Sequence, residues 1–146
     1  MIKIERSVVI NRPVEEVFAF VGDFNNEPKF VPALVRTELI SKGPIGVGTR
    51  YREVNRLVLG LKTASEYEII AYEPNRKVEF KSNAGPAQFK GGYYLEAVAG
   101  GTKVTLAAEA VMVGPFRLVE PMIAPSIPKQ VEASLANLKT VLEAAK

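Results

Sequence analysis

Apolar and polar residues alternate from the start of the chain. Ile2, Ile4, Val8 and Ile10 interleave with Lys3, Glu5, Ser7 and Asn11, which predicts a strand with one buried face. The period then changes. Val14, Val17, Phe18 and Val21 fall at i, i+3, i+4 and i+7, the stripe of an amphipathic helix. Pro13 opens that helix, where its missing N–H costs nothing. Glu15 and Glu16 sit in the first turn, favourable to the helix dipole, and Gly22-Asp23 ends it. Asn25 to Val31 reads as one further short helical turn, stopped by Pro32, with Phe30 packing inward.

From Ala33 to Met112 the pattern is that of strands joined by turns. The breaks are Lys42-Gly43-Pro44, Gly46-Val47-Gly48, Leu59-Gly60, Glu73-Pro74-Asn75, Asn83-Ala84-Gly85-Pro86 and Ala99-Gly100-Gly101. About six strands lie between them, the longest over Thr49 to Leu57 and Lys62 to Tyr72. Their short connections require antiparallel pairing, because a parallel pair needs a long crossover. Gly91-Gly92, inside a strand pattern, predicts a bulge or bend that curves the sheet. After Gly114, four prolines (Pro115, Pro121, Pro125, Pro128) punctuate an apolar segment. It reads as a broken helical stretch from Phe116, then a clean helix from Pro128 to Ala144. Val131, Leu135, Leu138 and Leu142 form one stripe on that helix, and Lys129, Glu132, Lys139 and Glu143 lie opposite.

The order strand, helix, strands, long helix defines an α+β class. A curved antiparallel sheet has one apolar face to cover, and the terminal helix is the large element available to cover it. A cavity between the sheet and the helix stripe of Val131, Leu135 and Leu138 is the expected result. At 146 residues the chain is one domain. Its hydrophobic fraction of 47% is that of a chain with its own core.

Composition narrows the chemistry. The chain contains neither cysteine nor histidine, and Asp23 is its one aspartate. Thiolate nucleophiles, Ser–His–Asp chemistry and the common Cys/His metal sites are thereby excluded. Neither a metal nor another cofactor is expected, nor a covalent intermediate. Acid–base work would fall to Glu, Tyr or Lys. The net charge of +3 is spread along the chain, with Arg50, Arg52 and Arg56 its densest group. Their spacing marks one solvated face of a strand, and without an accompanying motif they do not predict nucleic-acid binding. The first residues lack a signal-peptide core, and no apolar run reaches the roughly 18 residues of a spanning helix. A cytoplasmic location is the resulting expectation.

If those arginines face water, Thr49, Tyr51, Glu53 and Asn55 face inward. Tyr51 and Glu53 are then polar groups in an apolar setting, unless the register is shifted. Glu53 would be the single inward acid, hydrogen-bonded to Tyr51 or Asn55, neutralised, or paired with a ligand. The same alternation points Tyr67, Phe80, Phe89 and Tyr93 inward, and Val104, Leu106, Ala108, Ala110 and Met112 after them. Small Ala108 and Ala110 would leave room. Phe116, Met122 and Ile123, in the proline-broken segment, could form the mouth. Phe18, Phe30, Val131, Leu135 and Leu138 complete the expected ligand wall, although such a stripe also suits a plain core.

Six features resemble one family. Ile10-Asn11-Arg12-Pro13-Val14-Glu15-Glu16-Val17-Phe18 is similar to the opening of START-like proteins, and Asp23 follows the first helix as it does there. Gly46-Val47-Gly48-Thr49-Arg50-Tyr51, Glu73-Pro74-Asn75-Arg76-Lys77-Val78-Glu79-Phe80, Gly100-Gly101-Thr102-Lys103-Val104-Thr105 and Leu138-Lys139-Thr140-Val141-Leu142-Glu143 resemble later motifs in the same order. Phe30 departs from the tryptophan that many members carry. The resemblance is to the polyketide cyclase/dehydrase-like branch of the START superfamily, with the helix-grip fold of Bet v 1. It implies a seven-stranded sheet, two short helices and a long C-terminal helix around a hydrophobic cavity. It does not fix chemistry.

Three functions remain open from sequence. One is a carrier or sensor of a hydrophobic small molecule, such as a lipid or polyketide-like compound. Another is a cyclase or dehydratase with Glu53 as base and Tyr51 or Tyr67 as acid or hydrogen-bond donor. The third is a protein-interaction module whose cavity is filled.

Overall fold

A computed structural model describes residues 1–56 and 62–144. Seven strands form one antiparallel sheet: β1 (Ile2–Ile10), β2 (Leu34–Leu39), β3 (Arg50–Arg56), β4 (Lys62–Glu73), β5 (Lys77–Ala84), β6 (Ala87–Val98) and β7 (Gly101–Met112). Their spatial order is β1-β7-β6-β5-β4-β3-β2. Each strand from β2 onward pairs with its successor, as short connections dictate. β1 closes the other edge against β7. The Leu59-Gly60 turn and the Leu57 end of the third strand lie outside the described residues.

Between β1 and β2 stand the two expected short helices, α1 (Val14–Val21) and a 3-10 turn (Phe24–Lys29). α1 buries Val17, Phe18 and Val21, the stripe set by its spacing. Asp23 caps the turn that follows, its side chain accepting from the Asn25 N–H at 3.0 Å.

The proline-rich segment is broken into three pieces, a 3-10 turn (Gly114–Leu118), α2 (Glu120–Ile123) and a further turn (Ala124–Ser126). A proline occupies the first or second position of each, where no backbone bond is lost. The final helix α3 (Ile127–Ala144) follows without interruption and buries Ser134, Leu135, Leu138 and Leu142. Its C-terminal half is tied to the first strand and its loop. Lys139 Nζ donates to the Val9 carbonyl at 2.8 Å, the Asn11 N–H donates to Glu143 at 2.9 Å, and Arg12 Nε donates to the Leu142 carbonyl at 3.0 Å. These bonds close the C-terminal end of α3 against the sheet. Its N-terminal end faces the space described below.

No register shift falls at Gly91-Gly92, where a bulge or bend is expected. Pairing is regular there, Phe80 opposite Gly91 on one side and Ala108 opposite Gly91 on the other. The irregularities fall between Leu34 and Arg36, Glu66 and Tyr67, and Ile69 and Ala71. What Gly91 provides is close approach. A Cβ there would lie 2.5 Å from the Ala107 carbonyl oxygen and 2.6 Å from the Ala108 Cβ. Gly91→Ala should therefore overpack the sheet and cost about 1–3 kcal/mol. Urea unfolding would show it as a lower midpoint with unchanged slope, and a wild-type midpoint would refute the close-approach reading.

Candidate functional site

The site is built on an aromatic platform. Phe24, fully buried at the head of the 3-10 turn, meets Tyr51, Tyr67, Phe80 and Tyr93 with ring centroids 5.5, 5.7, 5.6 and 6.1 Å away. Phe30, at the turn's other end, packs on Tyr93. A 3-10 helix has three residues per turn, so positions i and i+3 eclipse. Phe24, Glu27 and Phe30 consequently share one face, and the two aromatic anchors carry Glu27 inward with them. Backbone bonds from the Phe30 and Val31 N–H groups to the Glu27 carbonyl, at 3.0 and 2.9 Å, fix the turn. Asn137 Nδ2 on α3 holds the Phe30 carbonyl at 3.1 Å.

The Glu27 carboxyl receives two phenols. Tyr67 on β4 donates to Oε1 at 3.2 Å and Tyr93 on β6 donates to Oε2 at 2.9 Å. β5 lies between those strands, so one carboxyl joins side chains from strands about 10 Å apart. Glu53 lies on the same cavity wall, and Asn55 Nδ2 donates to its Oε1 at 3.1 Å. Directly across from Glu53 and Asn55 in the β3–β4 ladder stand Ser65 and Thr63. The Thr63 hydroxyl is buried with no partner among the described residues.

Both acids keep some residue surface, which faces the cavity, while their carboxyls lie deep in the fold. Desolvation is the main cause that raises the Glu27 pKa, from 4.5 to about 8, and the Glu53 charge adds to it. The two phenols oppose that rise by bonding to the charged form. Burial also raises Glu53, with the Asn55 bond opposing it. Tyr67 and Tyr93 are held well above 10, first by burial and then by the Glu27 charge. They remain donors.

These groups border a cavity of about 610 Å³ between the sheet and the N-terminal half of α3. Phe80, Phe89, Leu106, Ala108, Ala110 and Met112 supply apolar wall, with both small alanines among them. Val131, Ser134 and Ile127 line it from the helix. Met122 and Ile123 border it too, and Met122 is largely exposed at the lip.

Of the sequence-derived candidates, Glu53, Tyr67, Phe80, Phe89, Tyr93, Met112, Met122 and Val131 border this space. The remainder lie elsewhere. Tyr51 is fully buried but outside the cavity wall, stacked on Tyr67 at 5.6 Å with Phe24 against it. Phe24 fills the room that a ligand would need there. Burial, then the charge of Asp23, lifts the Tyr51 pKa to about 12, and Glu53 is bonded to Asn55 instead. Phe18 packs edge-on to Tyr72, Phe30 seats the 3-10 turn, and Leu135 and Leu138 belong to the core. Phe116 is half-buried away from the wall. The expectation of a single inward acid fails, because Glu27 is a second one. In the sequence it lies within the short helical turn read over Asn25 to Val31, with nothing that singles it out.

The raised carboxyls have a thermodynamic consequence. Glu27 stays protonated in the folded protein after its unfolded counterpart has ionised. Its contribution to stability is therefore complete below about pH 4.5 and is lost as pH rises towards about 8. One such group gives a limiting slope of about 1.4 kcal/mol per pH unit. Glu53 acts with the same sign. The lowered carboxyls Glu79, Glu120 and Glu143 act below this window, and the chain has no histidine to confuse it. Thermal unfolding between pH 5 and 8 should show Tm falling with pH, and Glu27→Gln should flatten the fall. A Tm that holds steady or rises over that range would contradict the assignment.

Known proteins share this architecture. No curated protein matches the chain in sequence. Among solved structures, TTHA0849 from Thermus thermophilus superposes with a TM-score of 0.80 at 21% identity, covering 99% of this chain and 98% of that one. The Zhui aromatase/cyclase from Streptomyces sp. R1128 gives 0.79 at 14% identity, covering 97% and 93%. Ara h 8.0201 gives 0.72 at 16% identity, covering 98% of each chain. At these identities the likeness is one of fold, the helix-grip architecture of the START-like superfamily. The family model described as polyketide cyclase / dehydrase and lipid transport matches residues 1–143, and the chain belongs to that family.

Proposed function

We propose that this protein binds a hydrophobic small molecule, lipid-like or polyketide-like, in the cavity between the sheet and α3. The observation that carries the reading is an apolar space ending on fixed polar groups. Its volume of about 610 Å³ lies inside the range of about 300–1,000 Å³ typical of small-molecule sites. The ligand's body would lie against Phe80, Phe89, Leu106 and Ala108, and its polar end would meet Glu27, Tyr93 and Glu53. An interaction module with a filled interior fits poorly with a space of that size.

A second reading, cyclisation or dehydration of a polyketide-like substrate, is favoured by one specific feature. Glu27 has a pKa of about 8 and is held between two phenols, which suits a carboxyl that both takes and returns a proton near neutral pH. In such a reaction the ionised carboxyl removes a proton from a carbon beside a ketone. The resulting enolate attacks a second carbonyl, and the alkoxide formed recovers the proton. Loss of water from that product would complete a dehydration. Glu27 takes the place of Glu53 as base in this role, and Tyr93 joins Tyr67, one of the two expected donors, in place of Tyr51.

Nile red, a neutral apolar dye that brightens on leaving water, tests the binding reading. The parent protein should bind it saturably. Ala108→Leu, which fills the cavity from β7, should weaken binding at least tenfold while its far-UV circular dichroism stays that of the parent. Absence of saturable binding by the parent, or full binding by the folded variant, would overturn the proposal.

A further inference from the structure

We propose that the polar end of the ligand is a cation, a protonated amine carried on an apolar body. This rests on the binding reading above and adds the chemistry of the headgroup.

The titratable and charged residues bordering the cavity are Glu27, Glu53, Tyr67, Tyr93, Arg56 and Glu109. Arg56, at the end of β3, and Glu109, on β7, are exposed and sit at its rim. The interior groups among the described residues are therefore two carboxyls and two phenols, with no cationic side chain. Glu27 arrives from the 3-10 turn and Glu53 from β3, so two separate elements deliver acids to one apolar space. A lone buried carboxyl can be kept neutral by protonation. Two acids facing one space oppose each other's ionisation, and an incoming positive charge would relieve that opposition and let them ionise.

The walls suit the same guest. Phe80, Phe89 and Tyr67 present rings, with centroids 5.9 to 6.0 Å apart in pairs, and ring faces attract cations in desolvated sites. The Asn55 carboxamide provides a neutral hydrogen-bonding group beside the charge. An anionic headgroup such as a fatty-acid carboxylate would bring a third acid to Glu27 and Glu53. Like charge at that range is unfavourable, so a fatty acid should bind less well than an amine once Glu27 and Glu53 begin to ionise.

Binding of a cation also moves a proton. At pH 7 Glu27 is mostly protonated, and an arriving ammonium group lowers its pKa. The carboxyl then ionises, and its proton leaves to solvent. Binding of an amine should release protons at neutral pH, whereas a neutral guest should release none.

Three isosteric probes separate the cases: 2-naphthylmethylamine, 2-naphthalenemethanol and 2-naphthoic acid, titrated by calorimetry in buffers of different ionisation enthalpy. The amine should bind at least tenfold tighter than the alcohol at pH 8, and the acid weaker than either. The amine-to-alcohol ratio should grow from pH 6 to pH 8, the amine should show a buffer-dependent heat of proton release, any heat of the acid should have the proton-uptake sign, and the alcohol should show none. Glu27→Gln should reduce the amine's advantage, and the pH dependence of the parent supplies the same answer should that variant not fold. Equal affinities for the three, or tightest binding by the acid, would overturn the headgroup assignment while leaving the apolar cavity reading in place. Failure of all three to bind would remove both.

Discussion

Two phenol hydroxyls meeting on one carboxyl organise the interior of this protein. Tyr67 and Tyr93 come from strands separated by β5, and Glu27 comes from a turn outside the sheet. Their hydrogen bonds therefore join three segments at one buried point. A polar contact of this kind is costly to leave unmade in an apolar interior. Phe24 makes it possible. Its ring touches four aromatic side chains and fixes the turn on the concave face of the sheet. The core at one end is thus aromatic and filled, and the carboxyl marks the border where packing stops and empty space begins.

The same border explains why α3 has two roles along one stripe. Leu135, Leu138 and Leu142 lie over the filled part and close the core. Ser134, Val131 and Ile127, towards the N-terminus of the helix, face the space instead. Hydrogen bonds to the first strand and its loop secure the C-terminal end. The other end is carried on a segment divided by Pro115, Pro121 and Pro125, which cannot form one continuous helix over the cavity. Met122, exposed beside the cavity, belongs to that segment.

Most of the architecture is legible in the chain. The spacing of Val14, Val17, Phe18 and Val21 places the first helix. The turn residues divide the strands, and alternation puts Glu53, Tyr67, Phe80 and Tyr93 on the inner face. Alternation does not say how far the cavity extends along that face. Tyr51 points inward as expected, yet Phe24 fills the volume beneath it. Glycine in a strand has several causes, so Gly91-Gly92 suggests a bulge from sequence alone. Only the pairing partners reveal that here it is close approach to Ala107 and Ala108. Glu27 escapes a sequence reading for a subtler reason. The helical turn over it is legible, but its three-residue period is not, because so short a segment holds no repeat to measure. That period is what sets the carboxyl between Phe24 and Phe30, pointing at the sheet.

The site depends on Glu27 being a buried acid whose proton is held in place by the fold. Carbon-13 NMR of protein labelled at the glutamate carboxyls measures this directly, with the Glu27 signal identified by its loss in Glu27→Gln. The apparent pKa should lie near 8, far above the ordinary 4.5. Titration of that carboxyl near 4.5 would show it to be solvated, and the cavity would then not be an acid-ended binding site.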